Sequence, residues 1–142
     1  MLIQISIGAA LLLLSMVLSA LGFWLIESLL EHLSRRLQNL RRPLRVMLIL
    51  MIASFWALAQ ITIGVWIWAV CFMRLEIYDS LEPALYFALI SFTTLGYGDV
   101  LLPDHWRLLG GMTAVNGLLN VGLVTAIMLE LMRRARAQAE DD

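Results

Sequence analysis

Apolar residues come in long blocks along this chain, and the few polar interruptions between them set the predicted elements. From Leu2 to Ile26 there is no charged residue, enough for a helix to cross a hydrocarbon core of about 30 Å at about 1.5 Å per residue. Gly8, Ser15, Ser19 and Gly22 share one face of that helix, a small-residue stripe predicted to pack on protein. From Glu27 to Arg42 the pattern turns amphipathic, with Leu29, Leu30, Leu33, Leu37 and Leu40 on one side and the charges elsewhere, as in a helix lying on a membrane surface. Pro43 restarts the chain, and Val46 to Phe72 forms a second apolar run. Trp66, Trp68 and Phe72 near its end fit the aromatic belt of a membrane interface. Ala53, Ala57, Gln60, Gly64 and Cys71 share a face that should meet neighbouring helices. A third apolar run covers Leu108 to Leu131. Before it, Asp79, Ser80, Glu82 and Pro83 read as the start of a short helix completed by Ala84 to Phe92. Proline suits a first turn, and carboxylates suit the positive end of the helix dipole. At about 1.5 Å per residue such a helix cannot span, so it is predicted to be re-entrant and enclosed by protein.

Composition turns these runs into a class. The chain has 142 residues, 61% of them hydrophobic, with a mean hydropathy of +0.85, well above an ordinary soluble domain. An all-α membrane protein is expected. The net charge of −1 conceals an asymmetry, because all ten basic residues are arginine. Arg35, Arg36, Arg41, Arg42 and Arg45 form one group and Arg133, Arg134 and Arg136 another, and the positive-inside rule places both in the cytoplasm. With three spans, the N-terminus then lies outside and the C-terminus inside, in a multi-pass protein of the cell membrane, plasma or inner. A cleaved leader fits the first run poorly, since a basic stretch should precede it and here the arginines follow. There is no basic tail for nucleic acid. The lone Cys71 can form no disulfide within one chain, and no Cys/His metal spacing occurs. Neither enzymatic activity nor a cofactor is expected.

The densest chemistry lies between the short helix and the third run, in Ser91-Phe92-Thr93-Thr94-Leu95-Gly96-Tyr97-Gly98-Asp99-Val100. Gly-Tyr-Gly alone is common in turns. Here it stands with Thr-Thr and Asp inside a membrane hairpin. The stretch resembles the filter of the potassium channel family, whose related T-V-G-Y-G loop is the standard example of carbonyl coordination of K+. In that family an outer helix, a re-entrant pore helix, a filter and an inner helix follow in order, and the resemblance covers roughly Leu44 to Leu131. It implies three transmembrane helices, a re-entrant pore helix and a selectivity-filter loop, assembled as a homotetramer because one loop supplies one quarter of a cage. It divides the chain into an N-terminal helix with its amphipathic segment (1–43), a pore domain (44–132) and a short cytoplasmic tail (133–142).

The residue types suit the task. A backbone that turns successive carbonyls inward must alternate in hand, which glycine accepts without steric cost, so Gly96 and Gly98 are expected at those positions. K+, the permeant ion, would meet Thr94, Leu95, Gly96, Tyr97 and Gly98. The Thr94 hydroxyl would add a ring of oxygens, while the Leu95 and Tyr97 side chains would pack behind the loop. Leu95 departs from the family, which usually has Val or Ile there. Thr93, Asp99 and Tyr86 are expected as support, Tyr86 standing where the family often has a Trp that bonds the filter Asp. Leu101 would lie at the outer mouth. That mouth would carry Glu76, Asp79, Glu82, Asp99 and Asp104 against Arg74 and Arg107, a balance that concentrates cations.

On the third run, the resemblance assigns cavity and gate to Gly117, Leu118, Val121, Gly122 and Thr125, with Gly117 near the usual hinge. Polarity offers a competing face of Thr113, Asn116 and Asn120. The resemblance is preferred here, leaving the Asn stripe to bond the outer or pore helix. No span holds an arginine ladder, so no voltage sensor is expected. Two other functions stay open, a non-conducting scaffold or regulatory subunit and a weakly selective cation channel.

Overall fold

The computed structural model describes residues 1–36 and 42–140, and the chain there is all-helical. Its elements are α1 (Leu2–Arg36), α2 (Arg42–Arg74), α3 (Leu81–Phe92), a 3-10 turn (Asp104–Trp106) and α4 (Arg107–Glu140). No strand occurs among the described residues. Three stretches are long and apolar enough to cross a membrane, Leu2–Leu33, Pro43–Arg74 and Asp104–Arg133. Pro43 lies in the first turn of α2, where its missing N–H leaves no bond unmade. By contrast, the 12 residues of α3 reach only about 18 Å.

α2 and α3 end in the same way. After α2, Glu76 adopts φ 52°, with Glu76 N–H donating to Met73 O at 3.1 Å and Ile77 N–H to Phe72 O at 3.0 Å. This paired closure satisfies the last carbonyls of a helix and normally uses glycine at the left-handed position. Ile77 packs back onto the cluster that contains Phe72, supplying the apolar contact that accompanies such a cap.

Two apolar clusters close the bundle. The first joins Val65, Trp68, Ala69 and Phe72 of α2 to Ala84, Phe87, Ala88 and Phe92 of α3 and to Leu109 of α4, with Leu102 from the connecting loop. Phe72 and Phe87 meet edge-on at 5.4 Å between ring centres. Trp68 and Phe72 are therefore core residues, both 0% exposed. Of the three expected belt aromatics, only Trp66 faces outward. The second cluster joins Ile26 and Leu30 of α1, Ile49 and Ala53 of α2, and Ile127 and Leu131 of α4. α3 thus wedges α2 from α4 at one end, and α1 runs along the bundle, with Ile7 and Leu11 against the first cluster and Ile26 and Leu30 in the second.

The N-terminal helix departs from its expected form. α1 runs unbroken through Glu27 to Arg36, and Leu30 is buried in the second cluster. Nothing in Glu27–Arg36 stops a helix, so the amphipathic stretch extends the bundle, while residues 37–41 of that segment lie outside the described residues. Its small-residue face does meet protein. Ser15 and Ser19 are buried, Gly8 sits against Met112 of α4, and Gly22 against Gln60 of α2. At the start of α1, Gln4 donates from its amide to the carbonyl of His105. The α4 backbone continues to Glu140, through the segment expected as a short tail. Alanines at 135, 137 and 139 favour that continuation.

Candidate functional site

The loop after α3 begins as that helix's cap. Thr94 N–H donates to Ser91 O at 2.9 Å and Leu95 N–H to Ile90 O at 2.9 Å, the bonding pattern seen after α2, with Thr94 at φ 58° in the left-handed place. Gly96 N–H adds a second donor to Ile90 O at 3.0 Å. A left-handed residue carrying a branched side chain costs about 1–2 kcal/mol, and the orphan carbonyls it satisfies help to offset that. Gly96 follows at φ 53° and Gly98 at φ 77°, with no positive φ at Leu95 or Tyr97. The hand of the backbone therefore alternates from residue 94 to residue 98. Gly96 and Gly98 were expected in this role from the sequence, and Thr94 was not.

Side chains sort around that backbone. The Thr93 hydroxyl is committed to Leu89 O at 2.8 Å, so it closes the helix end. The Thr94 hydroxyl has no hydrogen-bond partner among the described residues and is exposed. Leu95 is 55% exposed and Tyr97 69% exposed, so a single chain leaves both uncovered. Tyr86 on α3 donates its hydroxyl to Asp99 Oδ2 at 2.6 Å, and Asp99 Oδ1 accepts from Val100 N–H at 3.1 Å. The Tyr86 hydrogen bond holds the Asp99 carboxyl below its usual range, and the same bond, given to a carboxylate, raises the Tyr86 phenol. Leu101 is exposed beyond them. Asp104 pairs with Arg107 at 2.6 Å, an exposed pair of small energetic weight.

Behind the loop, the last residue of α3 is clamped from two sides. Phe92 is 1% exposed. A Cβ at Gly64 of α2 would fall 2.6 Å from Phe92 Cζ. On α4, a Cβ at Gly117 would run into the Phe92 carbonyl and stand 2.8 Å from its Cα. Gly117 is thus placed at a close approach between helices. Sequence reading had put Gly64 on a contact face and Gly117 at a hinge, with no sign that both meet one residue.

α4 separates the two faces that competed for the cavity. Thr113, Asn116 and Asn120 are buried inside the subunit, whereas Leu118, Val121, Gly122 and Thr125 are exposed, Leu118 at 66%. Thr125 returns its hydroxyl to Val121 O at 2.7 Å. Leu118 and Gly122 border a hollow of about 510 Å³ shared with Met16 and Ser19 of α1. The Asn stripe was expected to bond the outer or pore helix. Only Asn120 leaves α4, and it bonds α1 through Ser15 and Ser19, whose hydroxyls are the small polar groups that a close helix contact brings within reach. Thr113 donates to Leu109 O within α4 at 3.0 Å, and Asn116 Oδ1 accepts from Asn120.

This arrangement of helices and loop covers the region where the chain is similar to known proteins. A family model described as an ion channel matches residues 46–134, more than half of the chain. The chain belongs to the ion channel family. Neither the curated proteins nor the solved structures give a match. The matched region runs from the first turns of α2 to the arginine-bearing end of the apolar part of α4 and takes in α3 and the alternating loop; α1 precedes it. With three membrane-crossing helices, the channel is a multi-pass membrane protein. Among the described residues, no group of three or more His, Cys, Asp and Glu could hold a metal ion.

Proposed function

We propose that this chain is the subunit of a potassium-selective channel in which four copies surround one pore and K+ crosses passively between four loops. The observation that carries the reading is the alternation of backbone hand at Thr94, Gly96 and Gly98 within Thr-Thr-Leu-Gly-Tyr-Gly-Asp. A backbone of alternating hand can present successive carbonyls along one line, which is what replacing the hydration shell of K+ requires. Carbonyls of Thr94, Leu95, Gly96 and Tyr97, with the Thr94 hydroxyl, would be the ion ligands. Support for fourfold assembly comes from Leu95 and Tyr97, which are too apolar to stay as exposed as one chain leaves them. The exposed stripe of Leu118, Val121 and Thr125 would line the cavity, and α3 would be the re-entrant pore helix. Placement in the cell membrane, with the N-terminus outside, rests on the arginine distribution.

A scaffold has no use for left-handed residues at three alternate positions, and a weakly selective pore has no need of the intact Gly-Tyr-Gly. Flux from proteoliposomes loaded with K+ or Na+ decides among these readings. Selective K+ flux is expected; equal K+ and Na+ flux would leave the weakly selective pore, and no flux the scaffold.

A further inference from the structure

α1 lies ahead of the family match, yet it is bonded into the back of the inner helix at one level. Ser19 Oγ donates to Asn120 Oδ1 at 2.7 Å, and Asn120 Nδ2 donates to Ser15 Oγ at 2.7 Å. The same Nδ2 lies 3.1 Å from Asn116 Oδ1, and Gln60 Nε2 of α2 donates to Ser19 O at 3.3 Å. All of these residues are buried. In an apolar surrounding a polar side chain without a partner is costly, and Asn116 Nδ2 is left without one here, so the bonds that Asn120 makes to both serines hold α1 in register with α4. Sliding α1 by one turn would unpair Asn120 from both serines.

The level of the tie matters. Asn120 sits between Gly117, wedged on Phe92, and Gly122, where an added Cβ would meet nothing within 4 Å. Its opposite face is the exposed stripe of Leu118, Val121 and Thr125. Any change in pore width at this level has to move these residues, and moving them pulls on Asn120. We propose that α1 is a built-in control element of the pore, in which Asn120, held by Ser15 and Ser19, is a positioning residue whose tie sets the balance between conducting and non-conducting positions of α4. This rests on the channel reading above.

The test uses the full-length protein in planar bilayers, with Asn120→Leu, the pair Ser15→Ala with Ser19→Ala, and the triple variant. Open probability is expected to shift by about sevenfold in one common direction in all three, the amount that two membrane hydrogen bonds of average strength supply. The triple variant should shift no further than either parent, as expected for groups in one network. Unitary conductance and K+/Na+ selectivity should stay at wild-type values. The triple variant removes both partners of the Ser15 and Ser19 bonds and leaves only Asn116 Oδ1 short of its donor, so it should melt no lower than Asn120→Leu alone while its open probability stays displaced. A purely structural role predicts the reverse, altered melting with unchanged gating, and open probability within twofold of wild type in the triple variant overturns the proposal. Hydrogen exchange at the α4 amides from Gly117 to Val124 gives a reading that needs no current. Should wild type carry none, the channel reading falls, and the anchoring is judged by exchange alone. Faster exchange in the serine pair variant sustains it, and unchanged exchange overturns it.

Discussion

The loop from Thr94 to Gly98 and the clamp around Phe92 both depend on glycine, for opposite reasons. In the loop, Gly96 and Gly98 have left-handed φ and nothing within 4 Å of an added Cβ. In the clamp, Gly64 and Gly117 are ordinary helical residues whose missing Cβ makes room for Phe92. One region has to be correct in dihedral angle, the other in position. Substituting alanine therefore probes conformation in the first and space in the second, and the two failures should separate.

The largest effect is expected at Gly117→Ala. Its Cβ meets the backbone of Phe92, which cannot turn aside as a side chain can, so helix α3 or α4 has to shift. Overpacking of a core costs about 1–3 kcal/mol and more where backbone must move, so yield and melting temperature in detergent should fall sharply. A variant as stable as wild type would break the comparison. Next come Gly96→Ala and Gly98→Ala, which should remove selective K+ flux while the protein stays folded and assembled, as size-exclusion chromatography would show. Loss of assembly in these variants would mean that the loop is also a packing element.

Gly64→Ala sharpens the comparison, because it presses only on the edge of the Phe92 ring. A loss of about 1–2 kcal/mol is expected, and Phe92→Leu in the same chain should recover part of it. Recovery by Phe92→Leu is not expected for Gly117→Ala. Melting curves of the single and double variants give the coupling directly. The smallest effect belongs to Tyr86→Phe, which removes the bond to Asp99. Because that bond depresses the folded pKa of Asp99, its contribution is present above the ordinary carboxylate range and is lost as pH falls through the depressed value. Wild-type selectivity should therefore hold as external pH is lowered to about 5. In Tyr86→Phe the Asp99 titration should move back up toward its ordinary value, and selectivity should weaken at a higher pH than in wild type. Identical acid profiles would place the Tyr86 bond outside the loop's support.

What the sequence made legible follows the same division. Hydropathy alone located the second and third spans to within a few residues and the start of the first, since the lipid-sized runs of Leu2–Ile26, Val46–Phe72 and Leu108–Leu131 leave little room for another reading. Gly96 and Gly98 were readable because glycine is the residue that a left-handed backbone selects. Thr94 and Glu76 were not, because a threonine or glutamate at a helix's left-handed cap carries no compositional sign; only the bonding of the preceding carbonyls reveals it. The partner of Asn120 was equally hidden. Ser15 and Ser19 lie more than a hundred residues earlier, and a periodic stripe tells which face packs without naming what it packs against. The continuation of α1 past Glu27 was missed for a different reason, since an amphipathic pattern fits a helix on a membrane surface as well as one extending a bundle.

The shared closure of α2 and α3 carries a consequence for assembly. Thr94 takes its left-handed angle from hydrogen bonds to Ile90 and Ser91 within its own chain. The first step of the alternation is thus completed locally, before any second copy arrives. A subunit that meets its partners already shaped has less conformational freedom left to surrender at the encounter, and preorganisation of this kind converts directly into tighter association. In the proposed tetramer, the four loops would come together less like wet clay pressed into a mould than like staves cut before the barrel is raised.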